Sequence, residues 1–136
     1  MLIKYSTLTT TLLIIIGETL ASLFNLYETV PTYDVYMHIL GGMWVASFLM
    51  FFFSRYKYNI CASPSHMQNG IVLISLVMMI GILWEFYEFG AYTLAQTVLP
   101  ADIYTDTLFD LFFDFCGATI ITLFFTTSHN KNLTPA

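Results

Sequence analysis

No charged residue interrupts the chain between Gly70 and Trp84, and the apolar run continues to Ala91 with only Glu85 and Glu88 inside it. Three other stretches, at roughly 8–27, 35–53 and 107–126, read the same way. A bilayer has a hydrocarbon core about 30 Å thick, which a helix of about 20 residues crosses. Each run therefore has, or nearly has, the length to span a membrane. None alternates strictly between apolar and polar residues, so helices rather than barrel strands satisfy their backbone groups in lipid. Composition points the same way. The 136 residues are 57% hydrophobic and only 10% charged, against about 25% charged in soluble domains. The expectation is an all-α, four-helix transmembrane bundle. Residues 1–136 would form a single integral membrane domain, multi-pass, with no linker, repeat or low-complexity tract dividing it.

The first run has Lys4 before it and "TLASL" near its end, features shared with a signal peptide. Its length and Glu18 argue against cleavage, and we expect it to remain as the first helix. With four spans, Lys4, Arg55, Lys57 and Lys131 all fall on one side, and the positive-inside rule makes that side cytoplasmic. Both termini then lie in the cytoplasm, and the protein sits in the cytoplasmic (inner) membrane. The opposite loops, "ETVPTYD" and the stretch around "PADIYTD", are acidic and face outward. A net charge of −5 with no basic stripe excludes nucleic acid as a partner and leaves membrane lipids or other membrane subunits. Cys61 falls in the cytoplasmic loop and Cys116 inside the last helix, so neither is placed for an external disulfide.

The acidic residues are distributed unevenly in depth. At 1.5 Å rise per residue, Asp34 and Asp106 stand at the outer boundary, His38, Glu88 and Asp110 roughly 5 Å below it, and Glu85 and Asp114 roughly 10 Å below. Glu18 lies deepest, roughly 13 Å down, with Ser22 and Asn25 stacked above it. Spacings of three and four residues put each set on one face of its helix. Every span thus adds acid to the outer half of the bundle. Asp34 and Asp106 also suit a helix start, where acidic side chains favour the dipole. The deeper groups have no such explanation, since an ionisable group in a span costs roughly 2.5 kcal/mol or more unless it is paired or hydrated. His38 is the one basic side chain at that depth. Bound protons, a bound cation, or a cationic ligand or partner must supply the balance.

If the balance is a metal, its ligands come from Asp34, His38, Glu85, Glu88, Asp110 and Asp114, with Glu18 and Asp106 as further candidates. An oxygen-rich set suits magnesium, manganese or calcium, and one imidazole keeps zinc or iron open. The Glu-x-x-His pairs of di-iron bundles are missing, and the cysteines lie away from the acids. His38 and Glu85 are the candidate catalytic groups, and Tyr33 and Tyr87 are candidates to hydrogen-bond the site. Tyr27, Tyr36, Tyr92 and Tyr104 fit an aromatic belt. Gly17 with Ala21 and Gly42 with Ala46 have the spacing that brings helices close, and Gly41 and Gly117 adjoin the acidic face. Asp102 is expected in solvent, outside the site.

"YDVYMHILGG" (33–42), "WEFYEFG" (84–90) and "DTLFDLFFDFCGA" (106–118) resemble, in order and spacing, the three membrane motifs of the VanZ-like superfamily, most closely its YjdF-like branch. The resemblance covers roughly 33–120. It implies a small helical bundle whose polar site is Asp34, His38, Glu85, Glu88, Asp110 and Asp114, and a role in the cell envelope. One position departs from the pattern: Val35 stands where the family usually has Lys or Arg, which removes a cation from the rim of the site. The function expected on both grounds is binding of a divalent cation and action on a lipid headgroup or a lipid-linked envelope precursor. The competing expectation is a non-catalytic accessory subunit of a larger membrane complex. Whether the protein is an enzyme stays open at this point.

Overall fold

The computed structural model describes residues 2–56, 66–95 and 103–131, with residues 66 and 126–131 as backbone only. Lys57, Cys61 and Asp102 lie outside the described residues. The elements are α1 (Leu2–Phe24), α2 (Leu26–Thr29), α3 (Tyr33–Tyr56), α4 (His66–Leu94) and α5 (Ile103–Lys131). Four of them are long and apolar enough to cross a membrane, so the chain is a multi-pass integral membrane protein. The spans extend beyond the apolar runs by several residues, because a helix continues into the interface until a breaker or a loop stops it.

The expected first helix, 8–27, instead starts at Leu2 and ends at Phe24. Asn25 adopts the left-handed conformation (φ 51°, ψ 47°), which Asn tolerates better than most residues. Its carbonyl accepts bonds from the Glu28 and Thr29 amides, which builds the single turn of α2. Val30 is extended, as the residue before a proline prefers, and Pro31 leads into α3. Asn25 therefore does not extend a polar stripe above Glu18.

Contacts fix how the spans associate. α1 runs antiparallel to α3: Trp44 Nε1 donates to Thr11 Oγ1 (2.7 Å), and Tyr33 Oη donates to the Gly17 carbonyl (2.8 Å). α3 and α5 run parallel and approach most closely. A Cβ on Gly42 would overlap the Asp114 carbonyl, and one on Gly117 would overlap the Ile39 carbonyl. Only glycine permits backbones this near, which is the small-residue packing that associates helices where lipid removes the hydrophobic drive. α4 runs antiparallel to α5, with Gly70 against Thr122 and Gly81 against Leu111 and Asp114. The packed pairs are α1–α3, α3–α5, α4–α5 and, less extensively, α3–α4.

The core is small: Ala46, Val77, Ala118, Ile121 and Phe125. Large side chains such as Leu12, Ile16, Leu83, Phe86 and Phe112 remain exposed, where lipid is as good a solvent as a protein interior. Hydroxyls within the spans satisfy themselves locally. Thr7, Thr10, Thr19, Ser75 and Thr122 each donate to a carbonyl four residues earlier.

The described cations stand apart from the acids. Lys4 opens α1 and Arg55 closes α3. Asp34 lies at the other end of α3, about 30 Å from Arg55 at 1.5 Å per residue.

Candidate functional site

The close α3–α5 pair carries the polar group in its upper half. His38 is 9% exposed, Asp110 5% and Asp114 7%, and the three meet where the parallel helices face each other. His38 Nε2 lies 3.6 Å from Asp34 Oδ1 and 3.6 Å from Asp110 Oδ1. Its other nitrogen, Nδ1, lies 3.5 Å from Asp114 Oδ1. Asp34 reaches His38 because it sits one turn earlier on the same face of α3. Asp110 and Asp114 do so for the same reason on α5. The imidazole is therefore bracketed by carboxylates at both nitrogens, two at Nε2 and one at Nδ1.

Glycines make the room. Asp114 is wedged among them: its Oδ1 would lie 3.6 Å from a Cβ on Gly41, its Oδ2 only 2.8 Å from one on Gly81, and its backbone against Gly42. Gly41 and Gly42 stand out in "HILGGMW". Gly81 was not singled out in the sequence, although it lies four residues before Glu85 and so shares its face.

The remaining acids surround this group at differing distances. Glu85 interacts with Thr107 on α5 and lies within electrostatic range of His38, Asp114 and Asp106. Its Oε1 is buried without a hydrogen-bond partner among the described residues. Glu88 and Asp106 line an adjoining cavity of about 710 Å³, together with Glu18, Asp34, His38 and Asp114. Of the residues expected in one pocket, His38, Glu88 and Asp114 line this cavity, and Glu85 and Asp110 are not among its lining residues. Glu18 is on the cavity wall but exposed rather than sealed beneath it.

Tyr27 donates to Glu18 Oε1 (2.7 Å). Burial first, and then the Glu18 carboxylate, push the Tyr27 phenol above its ordinary range, so it stays a donor. Read from sequence as an interfacial tyrosine, it is a partner of an intramembrane acid; the break at Asn25 turns the chain back over α1 and brings it there. Of the two tyrosines considered for the site, Tyr33 serves the α1–α3 contact instead, and Tyr87 is 66% exposed.

Asp34, His38 and Asp110 each offer one ligand atom, and these atoms lie within 4.8 Å of one another. Ligands at tetrahedral zinc distances of 2.0–2.2 Å are separated by about 3.3–3.6 Å. The two 3.6 Å separations at His38 Nε2 match that range. Bundle and site together define a polytopic helical membrane protein with a buried Asp–His–Asp group between its spans. Residues 2–131 match the family described as "Predicted membrane protein (DUF2238)", and the chain belongs to that family. No curated protein and no solved structure matches the chain.

Proposed function

We propose that the protein binds a divalent cation at Asp34, His38 and Asp110 and uses it on a lipid headgroup or a lipid-linked envelope precursor. The observation that carries the reading is the pairing of His38 Nε2 with two carboxylates while Nδ1 faces a third. A metal-binding histidine commonly gives its second nitrogen to a carboxylate, which fixes the ring and raises its basicity. Asp114 would take that part, as a positioning residue and not a ligand. Two carboxylates and one imidazole suit manganese or zinc better than calcium or magnesium, whose sites are built from oxygen alone. When bound, such an ion polarises a phosphoryl oxygen or activates water. Glu85, with one oxygen buried and unpartnered, is the nearby group suited to move a proton. The VanZ-like motifs support the envelope setting, and the one-sided basic residues support a site in the outer half of the cytoplasmic membrane.

Elemental analysis of protein purified without chelator should find a divalent cation near one per chain. The Asp34→Ala, Asp110→Ala double variant should lose it. Because a ligand held at 100 times its Kd stabilises by about 2.7 kcal/mol, chelation should lower the melting temperature of the wild type and leave the variant unchanged. Metal-free wild-type protein whose melting ignores chelation would overturn this reading and bring forward the accessory-subunit one.

A further inference from the structure

The cavity beside the site is larger than a hydrated ion needs, and it is amphipathic along its length. At one end stand Glu18, Asp34, Glu88 and Asp106 with the phenols of Tyr27 and Tyr92. At the other stand Ile14, Trp44, Val45, Val77 and Ile80. α1 and α4 both contribute walls, yet they do not form a packed pair, so the cavity lies between two spans that leave one another unsupported. The wall residues remain open there: Trp84 is 54% exposed, Tyr27 47% and Ile80 36%. In a bilayer, a gap between two spans at this depth faces the acyl region.

We propose that this cleft admits one phospholipid sideways between α1 and α4, and that the lipid carries an ammonium headgroup. Its acyl chain lies along Ile14, Val45, Val77 and Ile80, and its ammonium group meets Glu18 and Glu88. The charge of the walls selects the headgroup. Among the described residues no Lys or Arg lines the cavity, its one imidazole, His38, is bracketed by carboxylates, and Lys4 and Arg55 stand at the opposite end of the bundle. At the Glu18 and Glu88 walls an anionic headgroup would meet carboxylates, whereas the phosphate of an ammonium lipid can turn toward His38 and the cation proposed beside it. An ammonium group finds carboxylates together with aromatic rings, which attract cations through their faces. The inference rests on the reading of the acidic end as the working end, and adds the lipid class and its route. It requires the side chains of Glu18 and Glu88, neither of which belongs to the Asp34–His38–Asp110 group.

The chain has two tryptophans, and both line the cleft. Tryptophan fluorescence in bilayers therefore reads its occupancy directly. In vesicles of unlabelled phosphatidylglycerol, which has no ammonium group, we compare quenching by phosphatidylethanolamine and by phosphatidylglycerol, each with dibrominated acyl chains. The ethanolamine lipid should occupy the cleft with a preference of roughly threefold, the size that one or two screened ammonium–carboxylate pairs supply. Glu18→Gln with Glu88→Gln should abolish the preference while helix content stays unchanged. Val77→Phe, which narrows the apolar end, should weaken quenching by both lipids. Equal quenching of the wild type by the two lipids would overturn the proposal. So would the absence of quenching by either, as expected if the helix of another protein fills the cleft. If elemental analysis finds no metal while the lipid preference persists, the metal reading fails and this one stands.

Discussion

α1 and α5 are both apolar helices of bilayer length, yet 11% of the residues in the central apolar stretch of the first and 39% in that of the second are buried in the bundle. Hydropathy decides whether a helix enters lipid and says little about what it touches there. α5 is drawn in by two features that α1 lacks: a carboxylate pair, Asp110 and Asp114, which is costly in lipid, and Gly117 with Ala118, which let α3 approach. α1 meets α3 along an extended contact in which Thr10 and Ala21 are buried, two hydrogen bonds cross, and the one glycine, Gly17, faces side chains rather than backbone. The tight pair holds the chemistry, and the less buried helix borders the opening.

The contrast breaks most sharply at glycine. A Cβ on Gly117 meets backbone of α3, including the Met43 nitrogen at 2.9 Å, whereas one on Gly17 meets side-chain ends, the Met37 sulfur at 2.9 Å and the Tyr33 hydroxyl at 3.2 Å. Backbone cannot yield without parting the helices; a methionine can rotate. Gly117→Ala should therefore cost about 3 kcal/mol or more, the upper range of overpacking. Gly17→Ala should be near neutral, since the about 1 kcal/mol gain in helix propensity offsets the shift of Met37. Melting of both variants in detergent checks this, and equal melting of the two would dissolve the distinction between the interfaces.

A smaller effect sharpens it. Trp44→Phe keeps the apolar ring but loses the hydrogen bond to Thr11, and should cost about 1 kcal/mol. The loss should fall on α1, read as faster proteolysis or hydrogen exchange in residues 2–24 with α5 unchanged. Exchange that rises equally in both helices would mean that α1 is no more loosely held than α5.

The smallest expected change in stability, within about 0.5 kcal/mol, accompanies surface cysteine probes that orient the pair in the membrane. With Cys61→Ser and Cys116→Ser in place, Thr32→Cys should react with an impermeant reagent from outside intact cells, and Tyr56→Cys should not. The reverse pattern would put the acidic end in the cytoplasm.

Several of these properties were legible in the chain itself. Runs such as "GIVLISLVMMIGILW" admit one solvent and one backbone solution, because lipid offers no partner to an amide. That reasoning is local, and it yields four spans without knowledge of any contact. Spacing also shows that Asp34 shares a face with His38 and Asp110 with Asp114, since helical period is a property of one helix. What spacing does not carry is rotation about the helix axis and choice of neighbour. Five acids and one histidine stood as candidates along the sequence, with Glu18 and Asp106 behind them. The tertiary structure alone separates Asp34 and Asp110, which meet Nε2 of His38, from Asp114, which meets Nδ1, and from Glu88, which lines the cavity. It does so through contacts between helices far apart in the chain: Gly42 on Asp114, Gly117 on Ile39, and Gly81 on the Asp114 carboxylate. The gap between α1 and α4 is equally nonlocal, because it exists only where two apolar spans, each at ease in lipid, have no close-packing partner in one another.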